Sequence, residues 1–294
     1  MKDEFDAGMV SIIIPTFNRG STIKESIQSV LTQTYTNFEL IIVDDGSTDN
    51  TREVVLSIDD NRIRYIYQNN SGACAARNNG IDNSVGAFIA FHDSDDIWHE
   101  DKLEKQMCVF NNSVADIVFC GLNRYEKGKS VQLVPQNMQK GILSPVQDLF
   151  GIGTQTLVFK RDVLNHIRFD EKMLRFQEFE LLINSTEKGY KIFCLDEGLV
   201  DYYIGDDSIS KNYERLLSAS RRIIEKYPFF CKKYPKMKKT MAAVLFDAAI
   251  SVCERGELSY KQYLIMSAKY QKNIKNIMKV IFSYIGLYKP KRKG

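Results

Sequence analysis

Three clusters of polar side chains, each directly behind an apolar run, are the residues with chemistry to offer. The densest lies in Phe88-Ile-Ala-Phe-His-Asp-Ser-Asp-Asp-Ile-Trp98, where an apolar stretch runs straight into Asp93, Asp95 and Asp96. Carboxylates crowded at a strand end repel one another unless a cation or a set of donors stabilises them. This spacing therefore points to a divalent metal holding a phosphate-bearing ligand. Met9-Val-Ser-Ile-Ile-Ile14 leads in the same way into Pro15-Thr-Phe-Asn-Arg19, and Phe38-Glu-Leu-Ile-Ile-Val43 into Asp44-Asp-Gly-Ser-Thr-Asp49. Arg19 suits a phosphate contact or a solvated surface position. Gly72 and Arg77-Asn78 open a helix, and a helix N-terminus beside a guanidinium favours an anion. Asn78 suits equally the locking of that helix against a sheet. His92, His99 and His166 lack ligand spacing and are assigned to no metal; alternation along the strand turns His92 away from Asp93.

The elements behind these clusters follow from periodicity. Short, almost wholly apolar runs suit buried parallel strands, here 9–14, 38–43, 64–67 and 87–91. Between them, 22–32, 50–57 and 72–81 carry helical spacing. Strands alternating with helices at this pitch imply βαβ units, hence an α/β fold with a doubly wound, mostly parallel sheet flanked by helices. In such sheets ligands sit outside the carboxyl ends of the strands, where all three polar clusters fall. Further on, the pattern reads as a helix over 100–111, a strand over 116–122 and a hairpin or mobile loop over 123–141. An apolar stretch to Phe159, a helix near Asp162, an amphipathic helix over 176–187 and a strand over 191–195 complete it.

The chain has 294 residues, 44% of them apolar, enough to bury a large core. Its net charge of +3 conceals a split: residues 1–210 hold 20 basic and 32 acidic side chains, residues 211–294 hold 20 and 5. An acidic, metal-using body with a basic tail that seeks an anionic surface is the expectation. The six cysteines show no C-x-x-C spacing and read as buried thiols of a reducing compartment. Residues 1–8 are acidic and lack a signal-peptide core, and no apolar run reaches the length of about 20 residues a spanning helix needs. A cytoplasmic protein, peripheral on the inner face of the cell membrane, is expected.

Five ordered motifs carry a resemblance: Val10-Ser-Ile-Ile-Ile-Pro-Thr-Phe-Asn18, Ser29-Val-Leu-Thr-Gln-Thr-Tyr35, Phe38 to Asp49, Ala76-Arg-Asn78 and Asp93-Ser-Asp-Asp96. Together they resemble glycosyltransferase family 2 over roughly residues 9–210. The resemblance implies a GT-A fold and an inverting transferase that uses a nucleotide-diphosphate sugar. The domains would be a catalytic body over 1–210, with a donor half near 9–122 and an acceptor half near 123–210, and a basic helical region over 211–294. It also implies that Asp45 accepts a hydrogen bond from a uracil imide, and that Pro15, Thr16 and Asn18 line the nucleoside pocket. Arg77 stands on the phosphate side. Asp93-Ser94-Asp95 matches the family's D-x-D element, Asp93 meeting ribose or metal and Asp95 binding Mn²⁺ or Mg²⁺. The general base of the family falls in an E-D or Q-D pair followed by an aromatic, an acid and Leu, here Gln177-Glu178-Phe179-Glu180-Leu181, which makes Glu178 the base. Two departures stand out: Glu replaces the commoner Asp at 178, and Tyr203 and Gly205 stand where relatives carry Arg and His.

In the tail, Ile274, Ile277, Met278, Ile281, Phe282 and Ile285 recur at helical spacing, with Lys272, Lys275 and Lys279 elsewhere on the wheel. Such a helix suits an anionic membrane surface through 270–294 or, alternatively, the body or a second subunit. Nucleic acid is excluded, since no aromatic and basic sheet motif accompanies the lysines. The expected activity is transfer from a UDP-sugar to a hydroxyl of a glycan or lipid-linked acceptor in envelope or capsule polysaccharide synthesis. Its rivals are an interaction subunit that has lost activity and a sugar-nucleotide nucleotidyltransferase. The second lacks its usual glycine-rich, lysine-bearing loop after Ile14.

Overall fold

The computed structural model describes residues 6–126, 129–135, 139–143, 149, 151–203, 213–284 and 286–290. Gly205, Ile285 and the terminal Lys291, Arg292 and Lys293 lie outside the described residues. The chain divides into two compact units, one of residues 1–143, 151–171 and 177–206, the other of residues 144–150, 172–176 and 207–294.

The first unit is built on one sheet. Its strands are β1 (Asp6–Thr16), β2 (Phe38–Asp44), β3 (Ile63–Tyr67), β4 (Gly86–Phe91), β5 (Ile97–Trp98), β6 (Ile117–Glu126), β7 (Lys129–Val134), β8 (Gly141–Ile142), β9 (Leu157–Lys160) and β10 (Ile192–Tyr203). They are ordered β3-β2-β1-β4-β9-β6-β10-β5, with β7 beside β6 and β8 beside β10. β3, β2, β1 and β4 are mutually parallel, and β6 is parallel to β10. β9 runs antiparallel to both β4 and β6, so the two parallel groups point the same way. All their carboxyl ends therefore meet one edge of the sheet.

The apolar runs become strands because both faces of the sheet are covered. Val10, Ile12, Ile13, Ile14, Leu40, Ile41, Ile42 and Val43 are fully buried. The covering helices are α1 (Ile23–Leu31), α2 (Thr51–Leu56), α3 (Ala73–Asp82), α4 (Lys102–Asn112), α5 (Arg161–His166) and α6 (Gln177–Glu187). α3 lies almost flush on β1: a Cβ at Gly80 would stand 2.5 Å from Ile13 Cγ2. The stretch read as a hairpin or loop opens with β7 folded back on β6, the hairpin alternative.

In the second unit α7 (Tyr213–Lys226), α8 (Phe230–Lys233), α9 (Pro235–Glu254), α10 (Tyr260–Tyr270) and α11 (Ile274–Tyr284) follow one another. Leu216, Ile223, Met241, Leu245 and Ala249 are buried, and the Tyr270 hydroxyl donates to Ser220 O at 2.8 Å. α11 keeps its stripe outward, with Ile274 82% exposed and Ile277 and Ile281 near half. No helix among the described residues is long and apolar enough to cross a membrane.

Candidate active site

Asp93, Asp95 and Asp96 follow β4 at the carboxyl edge. The Asp93 Oδ1 accepts from Arg77 Nη2 at 2.8 Å, and Asp95 Oδ2 lies 3.5 Å from Arg19 Nε. Arg77 is nearly buried on α3, sits over the Phe169 ring at 5.5 Å, and donates from Nη1 to Gln177 Oε1 at 2.8 Å. Gln177 precedes Glu178 at the start of α6, so one guanidinium ties the acidic strand end to the helix of the expected base. Glu178 is half-buried, and its charge reaches the Cys74 thiol in the first turn of α3, which burial pushes up to about 12. Phe176, just before α6, holds a φ of 62°, a costly backbone for an aromatic residue that redirects the chain into the helix.

Electrostatics separate the three aspartates. Burial, then the Asp93 charge, raises the Asp95 carboxyl above its ordinary value, while Arg19 pulls the other way. Asp96 is 1% exposed, and burial followed by the charges of Asp93 and Asp95 holds it well above the usual carboxylate range. It does not cap the next helix, because α4 begins six residues later with Asp101 at its N-cap position. His92 is fully buried with its ring 4.7 Å from that of Trp98, and burial pushes its pKa down to about 3. It is neutral and enclosed, whereas Asp93 keeps 29% of its side chain open.

The residues expected to line a nucleoside pocket lie on the loops after β1 and β2. Asn18 has a φ of 51°, which Asn tolerates better than most residues. Its N–H donates to Ser47 Oγ at 2.9 Å and its Oδ1 accepts from the Thr48 N–H at 2.8 Å, clamping the two loops. Asp45 is buried: its Oδ1 accepts from Gln68 Nε2 at 2.7 Å and the Ser71 N–H at 2.8 Å, and its Oδ2 from the Gly72 N–H at 2.8 Å. One lone pair on Oδ2 remains for a ligand N–H. Pro15 and Thr16 are buried beside it, the Thr16 carbonyl accepting from the Asp45 N–H at 2.8 Å. Among the described residues the buried Thr16 Oγ1 has no hydrogen-bond partner, a polar atom that a bound group would satisfy.

Several residues escaped sequence reasoning. Asp44 accepts from the Tyr65 hydroxyl at 2.6 Å and the Ser47 N–H at 2.8 Å, bracing the loop that carries Asp45. Lys102, at the start of an amphipathic helix, is fully buried, with Nζ 3.6 Å above the Trp98 ring and 2.8 Å from Gln106 Oε1. Burial lowers its pKa to about 8. Asp201 Oδ1 accepts from Asn123 Nδ2 at 2.9 Å and lies 2.9 Å from His99 Nε2. Nothing local in the sequence marks these contacts.

The described residues contain no group of three or more His, Cys, Asp or Glu side chains that could hold a metal by themselves. Two open carboxylates at one edge still fit Mg²⁺ or Mn²⁺, because such ions commonly take one or two protein carboxylates and complete their shell with phosphate oxygens and water.

The chain is similar to known proteins in sequence and in fold. The family model for glycosyl transferase family 2 matches residues 11–180. A UDP-Glc:alpha-D-GlcNAc-diphosphoundecaprenol beta-1,3-glucosyltransferase, WfgD of Escherichia coli, is 36% identical over 212 residues, 70% of this chain and 81% of that protein. The putative teichuronic acid biosynthesis glycosyltransferase TuaG of Bacillus subtilis is 31% identical over 69% of this chain and 82% of its own length. Against an uncharacterized glycosyltransferase of Rickettsia felis the identity is 44%, but the match spans 23% of that longer protein. Among solved structures, S. aureus TarS 1–349 in complex with UDP-GlcNAc superposes with a TM-score of 0.62 at 21% identity, covering 95% of this chain and 92% of TarS 1–349. The mannosyltransferase PcManGT of Pyrobaculum calidifontis, in complex with GDP-Man and Mn²⁺, gives 0.61 at 14% identity, covering 97% and 90%. At such identities the structures speak for the fold alone, which is GT-A. With the family model spanning more than half of the sequence, and relatives above 30% identity over two thirds of it, the chain belongs to glycosyl transferase family 2.

Proposed function

We propose that this protein transfers a sugar, with inversion, from a UDP-sugar to a hydroxyl of a glycan or lipid-linked acceptor in cell-envelope or capsule polysaccharide synthesis. One observation carries the reading: Arg77 hydrogen-bonds both Asp93 and Gln177, tying the D-x-D end of β4 to the start of α6. Pro15, Thr16, Asn18 and Asp45 hold the nucleoside, and Asp93 and Asp95 face ribose, metal and diphosphate, with Arg77 behind Asp93. A bound Mn²⁺ or Mg²⁺ would be held by Asp93 and Asp95 and would offset the charge that grows on the leaving diphosphate. The acceptor oxygen bonds to the anomeric carbon as the bond to the diphosphate oxygen breaks. Glu178 takes the hydroxyl proton, and the nucleoside diphosphate leaves as an anion. WfgD, named for a UDP-Glc donor and an undecaprenol-linked acceptor, supports this choice of substrates.

The test is calorimetry and turnover. UDP titrated into the protein with Mn²⁺ should give heat that Asp95→Ala removes. Glu178→Gln should keep that heat and lose transfer by about 10²- to 10⁴-fold, the usual worth of a general base. No heat with the unaltered protein, or full transfer by Glu178→Gln, would end the reading.

The outward apolar stripe of α11, with Lys272, Lys275 and Lys279 beside it, supports a second element: peripheral contact with the anionic inner face of the cell membrane. A lipid-linked acceptor would be met there.

A further inference from the structure

Tyr125 and Tyr203 are in-register neighbours near the carboxyl ends of the parallel strands β6 and β10. Their rings stack with centroids 5.2 Å apart and planes 20° from parallel, and Tyr203 is 49% exposed. An aromatic pair this open is not a core contact. Its position is specific. β5, which directly follows Asp96, pairs antiparallel with β10 through Ile97 and Asp201, and that ladder stops two residues short of both Asp95 and Tyr203. Burial raises the Tyr203 hydroxyl above its ordinary value, and the charges of Asp201, Glu25 and Asp96 add to that rise. β6 and β10 lie beyond β4 from β1 and β2, so the pair stands on the side of the cluster opposite the nucleoside loops. Just behind it, Asp201, Asn123 and His99 form a linked polar group at 2.9 Å spacings, the kind of acceptor and donor set that hydroxyls use.

We propose that the Tyr125–Tyr203 stack is the platform for a pyranose ring of the acceptor. The CH face of a sugar lies on an aromatic plane, while its hydroxyls turn to the polar groups around the rim. This inference rests on the transferase reading for the name "acceptor", though the ring-binding itself can be measured without turnover.

The probe is saturation-transfer NMR with methyl β-D-glucopyranoside and methyl N-acetyl-β-D-glucosaminide, run without nucleotide. The unaltered protein should saturate the axial ring protons of at least one glycoside. Tyr203→Ala and Tyr125→Ala should weaken that binding about tenfold, the factor that about 1.4 kcal/mol of lost contact corresponds to. Tyr203→Phe should retain the signal. Thermal melting checks the fold of each variant, and UDP titration with Mn²⁺ reports the donor pocket separately, so a failed donor site and a failed platform are told apart. The proposal is overturned by absent glycoside signals in the unaltered protein, or by signals that the alanine variants leave unchanged. It is also overturned if those variants lose affinity for UDP-glucose but not UDP, which would make the platform a donor-sugar site. Lost vesicle binding with intact glycoside signals would likewise overturn it, in favour of a bilayer contact.

Discussion

At the scale of single residues, the site is made of groups that do two things at once. Asp45 holds the turn of residues 68–72 with three accepted hydrogen bonds and keeps a lone pair on Oδ2 for a bound group. An amide in its place can no longer accept from all three donors. Asp45→Asn should therefore lower stability by about 1–3 kcal/mol, the cost of stranding buried donors of a charged acceptor, and weaken UDP binding in the same variant. Chemical denaturation and UDP titration read the two losses separately. Equal stability with normal UDP affinity would remove Asp45 from both roles. Asp45 was legible because Asp44-Asp45-Gly46 follows an apolar strand. Its three donors were not, since they depend on how the loop after β3 folds back on it.

At the scale of elements, Arg77 matters as the joint between α3, the end of β4 and the start of α6. Arg77→Lys keeps a charge but lacks the planar fork needed to reach Asp93 and Gln177 together. It should lower kcat for transfer more than it weakens UDP binding, because the arrangement of α6 relative to Asp93 suffers first. A fall confined to UDP affinity would instead make Arg77 a plain donor-site residue. Below the same edge, Lys102 charges in the unfolded chain near pH 10.4 but only below about pH 8 in the folded protein. The unfolded state binds more protons between those values, so stability rises as pH climbs through that window, by at most about 1.4 kcal/mol per unit. Lys102→Met should flatten that rise in urea titrations at pH 8 and 10. A rise of the same slope in the variant would show that another group is responsible. α3 also tests the packing: Gly80→Val must push Ile13, and a loss of about 1–3 kcal/mol is expected by thermal melting.

At the scale of the molecule, the charge split and the exposed stripe of α11 converge on one surface property. Removing residues 270–294 should reduce co-sedimentation with vesicles rich in anionic lipid and leave UDP binding intact, and rising salt should weaken the association of the full chain. Co-sedimentation that deletion leaves unchanged would assign the stripe to another contact.

What the sequence determined by itself was whatever local pattern encodes. The apolar runs gave buried strands, the polar clusters behind them marked the carboxyl edge, and five ordered motifs carried the family. Those signals are read within a dozen residues, where periodicity and side-chain type suffice. Only the tertiary structure decided the rest, because it depends on residues far apart in the chain meeting in space. Arg77 reaches Gln177 a hundred positions away, Tyr125 stacks on Tyr203 through two adjacent strands, and β9 enters between β4 and β6 running the opposite way. Lys102 has the most polar of side chains on what proves the buried face of α4, and its composition alone argues for solvent. Burial is a property of what packs above a residue, and that is settled when the whole sheet closes.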